Sequence, residues 1–118
     1  MKRIIPLLII ITCFKGHGQE LLKDIHPGLV DSGATPFTEC NGVLLFTAMD
    51  EYLVDNENEL WRTDGTTEGT YKVIDLNPDK GAIPANFADL KKIGNYVYFK
   101  ADDGIHGLEL WKSDGTVE

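Results

Sequence analysis

The sequence predicts an all-β protein made of antiparallel four-stranded repeat units of about 50 residues, arranged like the blades of a β-propeller with an incomplete ring. The first observation is a ten-residue stretch that occurs twice, at residues 59–68 and 109–118, with seven identical positions. The second is the spacing of 50 residues between the two copies, which suits a propeller blade. The third is that short runs rich in β-branched and aromatic residues alternate with glycine and asparagine turn signals.

Residues 1–18 have the layout of a secretory signal peptide. Two basic residues precede an apolar run at residues 4–14, and Gly16 and Gly18 supply the small side chains that a cut before Gln19 requires. The apolar run is shorter than the roughly 20 residues that span a bilayer. We therefore expect an exported protein, secreted or displayed at the cell surface, without a membrane span.

The cysteines and the charge narrow the class of protein. Cys13 is the residue that a lipoprotein would acylate, although Thr12 stands where such signals prefer glycine, alanine or serine, and this alternative stays open. Cleavage of the leader would leave only Cys40, which excludes an internal disulfide.

The net charge of −8 becomes −11 without the three basic residues of the leader. We expect no nucleic-acid or anionic-membrane partner, because both are bound through clustered lysine and arginine.

The mature chain is predicted to begin with the last strand of a unit, at residues 19–29. Residues 20–25 predict a short strand before a turn, which matches the pattern of residues 71–78. In a propeller, such an N-terminal strand completes the final blade and removes two exposed sheet edges. The first unit then comprises residues 30–80, and the second, truncated unit comprises residues 81–118.

Each unit continues with a hairpin. Residues 37–40 predict a short strand, and Asn41-Gly42 predicts a two-residue turn because both central residues need positive φ. Gly94-Asn95 is the corresponding turn of the second unit. Strand alternation places one set of side chains of the following strand on a packed face. This set is Leu44, Phe46 and Ala48 in the first unit, and Val97, Phe99 and Ala101 in the second.

The repeated motif supplies the third strand and the turn after it. Leu60 and Arg62 point to one side of the strand and Trp61 to the other. We expect the tryptophan of each copy to fill the space between neighbouring sheets rather than to stack on a ligand. The Asp-Gly-Thr triplet favours a turn, and residues 70–76 predict the fourth strand. The motif residues with a predicted structural role are Glu59, Leu60, Trp61, Asp64, Gly65, Thr66, Glu109, Leu110, Trp111, Asp114, Gly115 and Thr116.

The remaining predictions concern two loops and the end of the sequence. Residues 49–58 and 102–108 join the second strand to the third, and their different lengths indicate surface loops. The sequence stops at Glu118, before a fourth strand of the second unit, and rings usually need about four to eight blades. We expect a fragment or a truncated reading frame whose partners are further repeat units of a longer parent chain. A self-associated or domain-swapped two-unit assembly is the alternative.

The motif resembles the ELWxxDGT repeat of secreted multi-repeat proteins from Bacteroidetes-type bacteria, which are sometimes labelled hyalin-like. The flanking residues 69–78 and 98–107 agree with this resemblance, which covers nearly all of the chain after the leader. The family is defined by its repeat and not by a reaction. The resemblance therefore implies a secreted or cell-surface scaffold that binds or supports other molecules, with no catalytic or cofactor-binding residue to transfer. Such proteins often use the type IX secretion route.

Calcium is the one cofactor that the sequence raises. Ca²⁺ takes six to eight oxygen ligands, and an EF-hand loop needs glycine at its sixth position. The acidic group at residues 55–59 has Leu60 at that position, and the second group has a different spacing. Solvated loops are favoured, and any metal site would fall on Asp102, Asp103 and Glu109.

Three functions are compatible with the sequence. The favoured one is a non-catalytic binding or structural scaffold with an extracellular protein or glycan ligand. The alternatives are a fragment of an extracellular glycan-active hydrolase whose catalytic residues lie outside this chain, and a Ca²⁺-dependent adhesion module. Paired carboxylates in a unique insertion would indicate the hydrolase, and a cation-dependent melting temperature would indicate the adhesion module.

Overall fold

The computed structural model describes residues 18–50, 58–84 and 89–117. Over these residues the protein is all-β, without a helix, and it forms two antiparallel sheets with strand orders β1-β2-β3-β4 and β5-β6-β7. The strands are β1 (Thr35–Cys40), β2 (Val43–Ala48), β3 (Glu59–Thr63), β4 (Tyr71–Ile74), β5 (Lys91–Ile93), β6 (Tyr96–Asp102) and β7 (Leu108–Ser113). The predicted all-β antiparallel class is confirmed. Within the same three ranges, no helix has the length and apolar character needed to cross a membrane.

Tight turns join the first two strands of each sheet. Asn41 and Gly42 have positive φ angles of 53° and 82°, as the favoured two-residue hairpin turn requires. Gly94 has a φ of 59° at the first position of the corresponding turn, before Asn95. Both predicted turns are confirmed, and each sets the antiparallel register of its hairpin.

One face of the first sheet is directed toward the second sheet, and we call it the inner face. Leu45 lies opposite Arg62, and Thr47 lies opposite Leu60, so these four side chains share this side of the sheet. The inner face consists of Cys40, Leu45, Thr47, Leu60, Arg62 and Val73. Apart from Arg62, these residues are buried, so the inner face forms half of the core between the sheets.

The second sheet covers the inner face with its own tryptophan-bearing side, which we call the tryptophan face. This face consists of Val97, Phe99, Ala101, Glu109, Trp111 and Ser113, which pair across β6 and β7. Val97, Phe99 and Ala101 are buried in the same cluster as Leu45 and Leu60, and Trp111 packs against that cluster. The main core of the protein is therefore the layer between two like sheets.

The prediction of one packed face on β2 is correct in part. Phe46 and Ala48 are buried, but Leu44 is 41% exposed. Phe46 and Ala48 pack with Trp61, Ile25 and Ala34, on the side away from the second sheet. Because β2 is an interior strand that is covered on both sides, hydrophobic alternation does not tell which of its faces receives the neighbouring sheet.

Residues 20–25, predicted as the closing strand of a unit, pair with no strand among the described residues. Thr67 Oγ1 donates to the Leu22 carbonyl at 2.9 Å, and Lys23 Nζ donates to the Thr70 carbonyl at 2.8 Å. These bonds join side chains to backbone, whereas a strand needs a backbone edge beside it. The fourth strand is also shorter than predicted, since β4 ends at Ile74.

The connection between the sheets crosses the ends of their strands. Asn58 and Ile83 form an isolated antiparallel bridge with reciprocal backbone bonds of 2.8 Å, and Asp102 N donates to the Ala82 carbonyl at 2.8 Å. Ala82 and Ile83 are buried in the main core. The connection thereby ties the start of β3 to the end of β6. Of the predicted loop at residues 49–58, residues 51–57 lie outside the described chain.

Candidate functional site

The two Asp-Gly-Thr turns have the same internal hydrogen bonds. Asp64 Oδ1 accepts from Thr66 N at 2.9 Å and from Thr66 Oγ1 at 2.7 Å. Asp114 Oδ1 accepts from Thr116 N at 2.9 Å and from Thr116 Oγ1 at 2.6 Å. The glycine of each turn has a positive φ, 92° in the first and 86° in the second. The motif residues therefore build one local structure twice.

These bonds also set the protonation state of the turn carboxylates. The hydroxyl of Thr66 and then its backbone N–H hold the pKa of Asp64 below its usual range, and Thr116 does the same for Asp114. A carboxylate that is ionised and bonded within its own turn acts as a structural acceptor. The bonds from the aspartate to the backbone of its own turn account for the aspartate at this position of the motif.

Gly69 lies against the first turn so closely that a side chain there has no room. A Cβ atom at this position would lie 1.9 Å from Asp64 Oδ1, and the backbone N–H of Gly69 donates to Thr66 Oγ1 at 2.9 Å. We expect Gly69→Ala to displace the Asp64 side chain and to lower the free energy of unfolding by about 1–3 kcal/mol. Urea denaturation measures this loss. The matched control is Glu68→Ala, a truncation at the exposed residue next to Gly69, and equal midpoints for the two variants would contradict the expectation.

The second Asp-Gly-Thr turn packs on the inner face of the first sheet. Arg62 Nη1 donates to the Gly115 carbonyl at 2.9 Å. A Cβ atom on Gly115 would lie 3.4 Å from methyl groups of Val43 and Leu45, so the backbone of this turn lies directly on β2. The motif therefore connects neighbouring units, because its basic residue in one unit holds the turn of the next.

A second set of bonds links the hairpin turns of the two units. Asn41 Nδ2 donates to the Asn95 carbonyl at 3.0 Å and to the Asp114 carbonyl at 3.2 Å. The buried thiol of Cys40 lies 3.4 Å from the same Asn95 carbonyl. Cys40 thus has a packing position between the sheets.

The two motif tryptophans lie in different surroundings. Trp111 belongs to the tryptophan face between the sheets, and its Nε1 donates to the Ala101 carbonyl at 3.0 Å. Trp61 is 6% exposed and stacks on Phe46, with ring centroids 6.5 Å apart, on the opposite side of the first sheet. Only Trp111 therefore lies between the two sheets of this chain, while Trp61 is covered by the segment that contains Ile25.

The two motif glutamates differ even more. Glu59 is 4% exposed and its Oε1 accepts from Ala82 N at 3.1 Å, whereas Glu109 is exposed. Burial, followed by the charge of Asp75, raises the pKa of Glu59 to about 8, against the opposing charge of Lys72. A carboxyl with a raised pKa is often catalytic, but one that is enclosed and bonded to backbone is inaccessible to a substrate. Nothing in the sequence signals this difference, because the two motifs are identical at this position.

The candidate metal residues bond mainly within their own loop. Asp102 Oδ1 accepts from Gly104 N at 2.8 Å. Asp103 Oδ2 lies 2.7 Å from His106 Nδ1, and bonds from the backbone and then the side chain of His106 lower the pKa of Asp103 to about 2. Glu109 lies on the tryptophan face, opposite Ala101. Within residues 18–50, 58–84 and 89–117, no group of three or more histidine, cysteine or acidic side chains is arranged to hold a metal ion.

Two concave surfaces border the sheets. A cavity of about 700 Å³ lies between the β4 edge and the second motif, with Lys72, Asp75 and Trp111 in its wall. Another of about 650 Å³ lies on the far side of the second sheet, where Tyr98, Lys100 and Leu110 contribute. The sequence predicts neither cavity, because the first lies between strands of different sheets and the second depends on which side chains of β5, β6 and β7 share a face.

The motif side chains are thus used in turns, in the core and in contacts between the sheets. Their arrangement can position backbone and neighbouring sheets, and it presents concave surfaces beside them. Comparison with family models, with curated proteins and with solved structures found no match to this chain.

Proposed function

We propose that this protein is a secreted or cell-surface module of β-propeller-like repeats that acts as a binding or structural scaffold and has no catalysis of its own. The observation that carries the proposal is the repeated use of one motif for internal structure. Asp64 and Asp114 make the same turn bonds, and Arg62 holds the next turn. Residues that are repeated for a structural purpose favour a scaffold, since an active site is usually unique within a repeat array.

The strand arrangement supports a propeller-like unit. The first sheet has the strand order β1-β2-β3-β4, in which each strand pairs with the next along the chain. Propeller blades are four-stranded sheets of this meandering kind, arranged side by side around an axis. The packing of the tryptophan face on the inner face gives the corresponding contact between neighbouring sheets.

Export is the part of the proposal that rests on the sequence alone. The basic, apolar and small-residue segments of residues 1–18 support a cleaved leader, and the acidic mature chain suits an extracellular environment. The ELWxxDGT resemblance points in the same direction. Residues 1–17 lie outside the described chain.

A test of the proposal uses the full chain with its leader, expressed in a bacterium that exports proteins. We expect the purified product to begin at Gln19 by mass spectrometry and to be found in the medium or on the cell surface. The same product, applied to arrays of glycans and extracellular proteins, should retain ligands without altering their mass. Retention in the cytoplasm would refute the export, and chain-dependent cleavage of an array ligand would refute the scaffold role in favour of the hydrolase.

A further inference from the structure

The second sheet has one side on which several apolar side chains are exposed, and we call it the open face. It lies opposite the tryptophan face and consists of Lys91, Ile93, Tyr96, Tyr98, Lys100, Asp102, Leu108, Leu110 and Lys112. Ile93 is 67% exposed and Leu110 is 72% exposed. The cavity of about 650 Å³ lies on this side. Grouped apolar exposure of this kind is unusual on a protein surface and marks an interaction site.

The open face is the repeat equivalent of the inner face. Leu110 occupies the motif position of Leu60, and Lys112 occupies that of Arg62. Leu60 is 1% exposed because the second sheet packs on it, while Leu110 has no such cover. The same motif position is therefore buried by a neighbouring unit in one sheet and bare in the other.

We propose that the open face binds a further unit of the same repeat, packed in series on the second sheet. The incoming unit would place its tryptophan face over Leu110 and its Asp-Gly-Thr turn over Tyr96 and Lys112. The interface between the first two sheets supplies the geometry, because there the turn backbone at Gly115 lies on Val43 and accepts from Arg62. The inference rests on the proposed scaffold function, and it identifies the side of the second sheet on which the next repeat unit would pack.

Lys112 is already positioned for this role. Its Nζ lies 4.5 Å from the centre of the Tyr96 ring, and Tyr96 has the position in the hairpin that Val43 has in the first unit. An ammonium group held over this ring lies where the next turn would present its backbone carbonyl. Lys112 is thus the counterpart of Arg62 as a donor to the following turn.

Two observations argue against a second copy of this chain as the partner of the open face: the charges on that face, and the segment that already covers the outer side of the first sheet. Two open faces that met symmetrically would bring Lys100 and Lys112 of each copy together, while Lys91 is paired with Asp89 at 3.2 Å and Asp102 is paired with Lys80 at 3.8 Å. Like charges at a buried interface cost free energy. A head-to-tail contact would need the Trp61 side of the first sheet, which Ile25 and Ala34 already occupy.

The experiment compares the full chain with a version extended after Glu118 by a copy of residues 69–118. Leu110→Glu is introduced at the original position in both proteins. In the extended protein we expect the melting temperature to fall by at least about 5 °C, because the glutamate would be buried against the added unit. In the unextended chain we expect a negligible change, because Leu110 is exposed there.

The matched control is Ile105→Glu, which makes the same chemical change at a loop residue that is 82% exposed and outside the open face. It should be neutral in both proteins. Equal effects of Leu110→Glu in the two proteins, or an added unit whose amides exchange as in an unfolded chain, would overturn the proposal. A dimer of the unextended chain that Leu110→Glu dissociates would also overturn it and would assign the face to a second copy. Failure of the scaffold function would appear separately, in the export and array measurements.

Discussion

Replacement of Trp61 by alanine is expected to lower the free energy of unfolding by about 3–5 kcal/mol, a large part of the stability of a small domain. Trp61 is 6% exposed and packs with Phe46, Ala48 and the segment that contains Ile25. Its removal leaves a cavity in the smaller of the two cores, where few side chains are available to fill the space. Urea denaturation followed by far-ultraviolet circular dichroism measures the loss.

Trp61→Phe is the informative companion variant. The indole Nε1 of Trp61 is buried and has no hydrogen-bond partner among the residues that the structure describes. Phenylalanine keeps an aromatic ring against Phe46 and removes the unpaired donor, which limits the cost of the change. We expect Trp61→Phe to be clearly more stable than Trp61→Ala. If alanine were tolerated as well as phenylalanine, the packing role of this tryptophan would be refuted.

Glu59→Gln is expected to remove much of the dependence of stability on pH between about pH 4.5 and 8. Burial raises the pKa of Glu59 to about 8 in the folded protein, above its ordinary value of 4.5. Between these values the folded state retains a proton that the unfolded state has released, so the stability of the protein falls as the pH rises. The full difference corresponds to at most about 5 kcal/mol. Glutamine stays neutral and keeps an oxygen that can accept from Ala82 N.

The measurement is a series of urea denaturation experiments across this pH range for the original chain, Glu59→Gln and Glu109→Gln. Glu109 is the exposed repeat equivalent of Glu59, so its replacement should leave the pH profile almost unchanged. The ion pair with Asp103 raises the pKa of His106, so His106 also loses stabilising energy as the pH rises above its ordinary value. That contribution is common to the original chain and Glu59→Gln and cancels between them, whereas Glu109→Gln reduces it slightly because the charge of Glu109 also raises the pKa of His106. Parallel profiles for the original chain and Glu59→Gln would contradict a buried, protonated Glu59.

Local structure was the part of the fold that could be predicted. The turn at Asn41-Gly42 and the two Asp-Gly-Thr turns depend on bonds and backbone angles within three residues, and these are properties of short peptides. The strand at residues 20–25 could not be judged in this way. Its apolar character suits a strand, but a strand exists only where a neighbouring backbone edge is in place.

For the motif residues, the sequence predicts that a side chain packs but not which neighbour it packs against. The repeated motif identifies Trp61 and Trp111 as packing residues, and both have packing roles. The side of the sheet on which each one packs, and what covers it, depends on the neighbouring segments. The two concave surfaces could not be predicted either, because their walls are formed by side chains that only the strand pairing and the packing of the two sheets bring together.

The sequence by itself determined the β class, the tight turns and the repeated motif, because these follow from interactions between residues that are close along the chain. Only the tertiary structure decided which copy of each motif residue is buried. Glu59 and Leu60 are enclosed, while Glu109 and Leu110 are exposed. The physical reason is that burial belongs to the layer packed against a strand, and one motif placed against different neighbours acquires different solvation, pKa and energy.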